Sequence, residues 1–329
     1  VYADFPFDAQ LLYRNRLDAV LSDNKNSADA SEKLSDLKNV LKPIWHKYGE
    51  PCSYWAMLLA DGDRMGELLD RAKTIGEHQA ITEALSTFAE SVPAKMRDFR
   101  AQCVYAGGDD VLGFVALDKA VDCADALRQA FSDSLKKVSD VLKAEKAPTL
   151  SVGLAICHIS TPLGNVRRLA KHAEKVAKGD NYPADQQRNG LGITLSVRSG
   201  SDSDWRVQWS DEAGLAAFEK WKKWYREKKI SSRIAYDSRD IFMRTDFSPS
   251  NDLSSELHQN IRQAEFARML DKARDMEGRK LDNEVQEALK RRLNARPDAD
   301  ALNVLATELI IARWLAAKTQ NDLGQEAQS

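Results

Sequence analysis

Asp61-Gly62-Asp63 and Gly107-Gly108-Asp109-Asp110 are two acidic, glycine-bearing motifs set at the ends of apolar runs. If the fold brings them together, four carboxylates share one place, and like charges at close range raise one another's pKa. A divalent cation resolves that conflict, because Mg²⁺ or Mn²⁺ prefers hard oxygen ligands and keeps room for substrate phosphates. Two such ions about 3.5–4 Å apart can activate an attacking hydroxyl and stabilise a leaving pyrophosphate. Asp61, Asp63, Asp109 and Asp110 are therefore the candidate metal ligands, with Asp61, Asp109 and Asp110 the candidate catalytic residues. Gly62, Gly107 and Gly108 are candidate nucleotide contacts, since a residue without Cβ lets backbone approach a triphosphate closely. Gly-Gly-Asp-Asp alone also suits a hairpin turn with solvated acids. The acidic motif closing the preceding strand favours the metal reading.

The elements around these motifs read in a definite order. Helical apolar faces are expected at Tyr13, Leu17, Val20 and Leu21, then at Leu34, Leu37, Val40, Leu41, Ile44 and Trp45. Residues 53–60 read as a buried strand, and residues 77–99 as a helix that Pro93 could kink. Strands at 101–105 and 111–116 enclose the second motif, so the pair reads as a hairpin. A long helix over 118–143, a strand over 150–158, a helix over 165–178 and a strand over 191–197 follow. This order contains the β-α-β-β-α-β arrangement of a ferredoxin-like sheet. The fold class expected is α+β: a polymerase- or cyclase-like palm, an antiparallel sheet with helices on one face, followed by an all-helical domain. The boundaries are 1–50 for a helical lead-in, 51–210 for the palm and 211–329 for the helical part.

Composition narrows the function classes. The 329 residues are 43% hydrophobic, with 48 Lys and Arg against 50 Asp and Glu, a formal charge of -2. Such a balance gives no support to a non-specific nucleic-acid binder. The longest apolar run, residues 54–60, falls far short of the ~20 residues that span a bilayer. No signal segment opens the chain, and Cys52, Cys103, Cys123 and Cys157 lack metal spacing. A cytoplasmic protein with reduced thiols is expected. The chain starts at Val1 rather than Met, which points to a fragment or trimmed chain.

Leu58-Leu59-Ala60-Asp61-Gly62-Asp63-Arg64-Met65-Gly66, followed by Tyr105-Ala106-Gly107-Gly108-Asp109-Asp110-Val111-Leu112, resembles the catalytic palm of the large subunit of type III CRISPR effector complexes, closest to the III-B (Cmr) branch. Ser151-Val152-Gly153-Leu154-Ala155, Pro162-Leu163, Ala170, Ala173, Ala177-Lys178 and residues 189–200 agree in order. The resemblance implies a nucleotidyltransferase that makes cyclic oligoadenylate from ATP with two Mg²⁺ or Mn²⁺ ions when target RNA is bound. It implies as partners the other effector subunits, CRISPR RNA and target RNA, and no membrane. Lys178 would meet the nucleotide's phosphates, and Ser151 could contact nucleotide or face a polar neighbour in the strand. No histidine precedes an aspartate, so an HD-type nuclease is not expected in this chain.

Two other readings compete. A diguanylate-cyclase-like enzyme carries a Gly-Gly-Asp-Glu-Phe hairpin on a similar palm, but here Val111 follows the second aspartate and residues 97–103 lack the inhibitory RxxD signature. A catalytically silent palm could serve as a scaffold that binds RNA or protein, although a scaffold has no physical need for clustered acids. Lys220, Lys222, Lys223, Arg226, Lys228, Lys229 and Arg233 surround Trp221, Trp224 and Tyr225, a pattern that can hold single-stranded nucleic acid. A buried aromatic stripe with a solvated basic face is the favoured reading of that segment.

Overall fold

The computed structural model describes residues 8–198, 200–245, 255–296, 299–319 and 321–323. The lead-in folds as α1 (Arg14–Asp23) and α2 (Ala28–Tyr48), with Leu17 packed among Leu34, Leu37, Leu41 and Trp45. Val40 and Ile44, expected on this face, are 62% and 46% exposed. The buried stripe follows a strict three-and-four spacing from Leu34 to Trp45, and these two fall beside it. The lead-in forms one compact unit with the described residues from Ala317 onward, through a bridge between Pro51 and Thr319 and the Cys52 N–H donating to the Lys318 carbonyl.

Trp55–Ala316 forms the second unit. Its elements run β1 (Tyr54–Asp63), α3 (Met65–Arg71), α4 (Ile75–Asp98), β2 (Gln102–Gly107), β3 (Asp110–Val115), α5 (Ala120–Val141), β4 (Thr149–His158), α6 (Leu163–Lys178), β5 (Gly190–Leu195) and β6 (Ser203–Gln208). Thr74 and Glu77 form a reciprocal capping box that starts α4. Pro93 lies inside that helix without ending it. The strands form one sheet in the order β2-β3-β1-β4-β5-β6, whose first four follow the ferredoxin-like order.

β1 and β2 are antiparallel to β3, and β6 is antiparallel to β5, whereas β4 and β5 run parallel. The sheet is thus mostly, not wholly, antiparallel, because α6 crosses over between β4 and β5. β6 adds a strand where none is expected; Trp205, Val207 and Trp209 are buried on alternate residues, but the polar run before them masks that period.

Pleating separates the two faces. Gly113 faces Met96 of α4, and Phe88 of α4 meets Phe131 of α5 at 5.1 Å, so these helices cover one face as expected. α6 covers part of the other face, with Val166, Leu169 and Ala170 packed on Met57, Ala155 and Cys157. A Cβ on Gly153 would lie 2.2 Å from the Glu174 backbone nitrogen, and one on Gly192 2.4 Å from the Ala173 carbonyl oxygen. α6 therefore lies directly on the strands, closer than any side chain at these positions would allow.

Helices α7 (Glu212–Arg226), α8 (Ser232–Arg244), α9 (Ser255–Lys272), α10 (Asn283–Asn294) and α11 (Ala301–Ala316) complete the unit. α11 is buried nearly all round, and its Glu308, fully buried, accepts from Arg292 of α10 and from the Trp221 indole of α7. Trp221, Trp224 and Tyr225 are buried, so their ring faces are used in the core. Lys222 is buried with them and paired to Glu219 at 2.6 Å. No described helix is long and apolar enough to cross a membrane.

Candidate nucleotidyl-transfer site

The register of β1 against β3 runs from Ala56 opposite Val115 to Ala60 opposite Val111. One further step sets Asp61 level with Asp110, close enough for its charge to act on the Asp110 carboxyl. Gly107 pairs with Asp110, which leaves Gly108 and Asp109 as a two-residue turn. Gly108 has φ +64°, the left-handed first position that a tight hairpin demands and that glycine adopts without cost.

Gly62 supplies the space for Asp109. A Cβ there would fall 2.6 Å from the Asp109 Cβ and 2.8 Å from its Oδ2, so the turn folds over the end of β1 onto a bare backbone. Gly107 lies under the Tyr105 ring, which a Cβ would meet at 2.2 Å from the hydroxyl oxygen. The three glycines and three of the acids thus occupy one corner of the sheet.

Electrostatics at this corner follow from crowding. Burial raises the pKa of Asp109, with the Asp61 charge adding to it, while its own backbone N–H and Lys178 pull it down. Burial, then the charges of Asp61 and Asp109, raises Asp110, and the Lys171 charge opposes. The hard oxygens of Asp61 and Asp110 suit a divalent cation, whose charge would offset their crowding. Among the described residues, no three acidic, histidine or cysteine side chains converge closely enough to hold a metal alone.

Asp63, two residues further along β1, has hydrogen-bond partners of its own on β4 and just before β5. It is 2% exposed, and it accepts from Thr149 Oγ1 at 2.8 Å, Ser151 Oγ at 2.8 Å and the Asn189 N–H at 2.9 Å. Burial raises its pKa, against these hydrogen bonds and the Arg188 charge. Arg188 and Asn189 both adopt left-handed backbone, with φ 66° and 48°, and Asp63 holds them there. Ser151 is fully buried, and the polar neighbour it faces is Asp63.

Lys178, at the end of α6, reaches the corner with its Nζ 2.7 Å from Asp61 Oδ2 and 2.8 Å from Glu174 Oε1. Burial lowers its pKa, but these two ion pairs outweigh burial and raise it overall. Glu174, which pairs with Lys178, and Lys171, which pairs with Glu174, are residues that sequence reading passed over. Their only signal is a three-and-four spacing with Lys178, which any solvated helix face shares.

A sheet of this order, with acids closing its first strand and a Gly-Gly-Asp-Asp hairpin beside them, defines a nucleotidyltransferase- or cyclase-like palm. Residues 54–191 match the family described as Cas10/Cmr2, second palm domain. "CRISPR system Cmr subunit Cmr2" of Pyrococcus furiosus is 30% identical over 224 residues, 59% of this chain and 24% of that protein. Csm1 in T. onnurineus, a crystal structure, aligns with 80% of this chain and 38% of its own at TM-score 0.51 and 15% identity. A Csm1-Csm4 cassette in complex with cA4 aligns with 80% of this chain and 37% of its own at TM-score 0.50 and 15% identity. The two structural likenesses concern the fold. The palm over residues 54–191 is thus similar to the second palm domain of Cas10/Cmr2, and the longer likeness is to a Cmr subunit. The chain spans about a quarter of the length of the curated relative it matches.

Proposed function

We propose that this palm makes cyclic oligoadenylate from ATP, as part of a type III CRISPR effector complex switched on by bound target RNA. The observation that carries the reading is the pairing of Asp61 with Asp110 under the Asp109 turn, beside Lys178. Asp61, Asp109 and Asp110 are proposed to hold Mg²⁺ or Mn²⁺, which when bound supplies positive charge to activate a hydroxyl and stabilise pyrophosphate. Asp63 is proposed to stand behind them, its oxygens fixing the strand ends on which they sit.

Gly107, Gly108 and Gly62 leave backbone open to the triphosphate, and Lys178 offers an ammonium to its phosphates. The 3′-hydroxyl oxygen of one ATP bonds to the α-phosphorus of another, pyrophosphate departs and the hydroxyl proton passes to water. Charge-bearing groups fixed before reaction lower the barrier without reorganising during it. Residues 51–210 are the proposed palm and 211–329 its helical companion domain. A cytoplasmic location, partner subunits, CRISPR RNA and target RNA belong to the same proposal. The cA4 bound to the Csm1-Csm4 cassette supports an adenine-based product.

The test is incubation with radiolabelled ATP, and separately GTP, with Mg²⁺ or Mn²⁺, on the chain alone and in a reconstituted complex with target RNA. Oligoadenylate that disappears in the Asp109→Ala/Asp110→Ala double variant supports the reading. A cyclic dinucleotide from GTP only would favour the diguanylate-cyclase-like alternative. No product in the assembled complex would leave a scaffold palm.

A further inference from the structure

Lys171, Glu174 and Lys178 succeed one another on α6 at spacings of three and four, so they share one face of the helix. Glu174 is 1% exposed, yet each of its carboxylate oxygens meets a lysine. Oε1 lies 2.8 Å from Lys178 Nζ and Oε2 2.5 Å from Lys171 Nζ. Lys178 continues the run to Asp61, which the β1–β3 register sets beside Asp110. An alternating line of charge therefore leads from α6 into the acidic corner.

Packing alone does not account for Glu174. A buried carboxylate is costly unless paired, and an apolar residue of similar volume would often serve stability as well or better. The seat of Glu174 is also rigid, because its backbone nitrogen rests on Gly153 of β4. The two lysines it holds differ in freedom. The Lys178 side chain is 21% exposed and is held by two carboxylates. The Lys171 side chain is 59% exposed, and its contact with Oε2 follows charge and not a hydrogen-bond direction. Lys171 can thus turn towards an incoming anion while Lys178 stays in place.

We propose that Glu174 is a positioning residue that holds Lys171 and Lys178 as a paired cationic clamp on the triphosphate of the bound nucleotide, with Lys171 as a second phosphate ligand. The inference rests on the nucleotidyltransferase reading above. The acids serve the reacting centre, and the clamp serves the phosphates that leave it.

Equilibrium dialysis of the full chain against radiolabelled ATP and, separately, AMP tests the clamp. Glu174→Gln keeps the volume and removes the charge, and Lys171→Ala removes a largely exposed side chain, with urea midpoints checking that both variants are folded. Each is expected to weaken ATP binding about tenfold, roughly 1.4 kcal/mol, and to leave AMP binding within about twofold. Glu174→Asp, too short to span both lysines, should fall between Gln and the wild type. In the turnover assay KM for ATP should rise more than kcat falls. Glu174→Gln that binds ATP as the wild type does, with the wild type binding normally, overturns the clamp alone. A wild-type chain that binds neither nucleotide overturns the site reading and the clamp with it.

Discussion

Lys178 Nζ stands 2.7 Å from Asp61 Oδ2, an ion pair that ties the end of α6 to the end of β1. It brings one cation into a corner where Asp109 and Asp110 are both pushed towards their protonated forms. The corner is therefore built for more positive charge than the protein itself supplies.

Replacing Asp109 and Asp110 by Asn should abolish product and leave the fold intact. Both carboxyls have folded pKa values raised above the ordinary 3.8. Their contribution to stability is present in full below that value and is lost as pH rises through the folded values. Metal-free wild type should thus gain stability on acidification from neutral pH at this locus, and the double variant should gain less. Urea titrations of both across that range measure the difference.

Lys178→Met removes the partner of a fully buried acid. The expected loss is roughly 2–4 kcal/mol, somewhat below the ~3–5 of a wholly buried pair because Lys178 keeps some solvent contact. Lys178→Met/Glu174→Gln should recover part of it, read as a shift in the urea midpoint. With its pKa raised above 10.5, Lys178 contributes fully below that pH and loses its contribution only as pH rises through the folded value.

Gly62→Ala drives a methyl group to 2.6 Å from the Asp109 Cβ. The hairpin turn must lift, at a cost of about 1–3 kcal/mol typical of overpacking. Activity should fall far more than this stability loss explains, because the turn carries two of the acids. Comparing turnover with the thermal midpoint of the same variant separates the two effects.

Asp63→Asn and Asp63→Ala divide a supporting role from a ligand role. Asn fills the space and still accepts from the Asn189 N–H, and both hydroxyls can rotate to accept from its amide. Ala strands these partners and should cost roughly 2–4 kcal/mol. Retained Mg²⁺ or Mn²⁺ binding by Asp63→Asn supports the supporting role, and loss of that binding in a folded variant assigns Asp63 to the metal.

Much of this arrangement was legible in the residue order. Alternation and helical period located β1 to β5, and the glycine-acid motifs announced a tight hairpin beside a strand end, because local backbone geometry and local residue type are coupled. Sequence also placed Asp61 and Asp63 together as candidate ligands, since they are two residues apart and share a strand face. Only the tertiary structure gives each of them its own partners. The β1–β3 register turns Asp61 to Asp110, whereas the residues at Thr149, Ser151 and Asn189 close around Asp63. β6 and the Lys171–Glu174–Lys178 run were equally out of reach, for each depends on what lies opposite it across the sheet. Period and residue type are properties of a few neighbours along the chain, but burial and pairing belong to atoms that are far apart in sequence and meet only when the sheet closes.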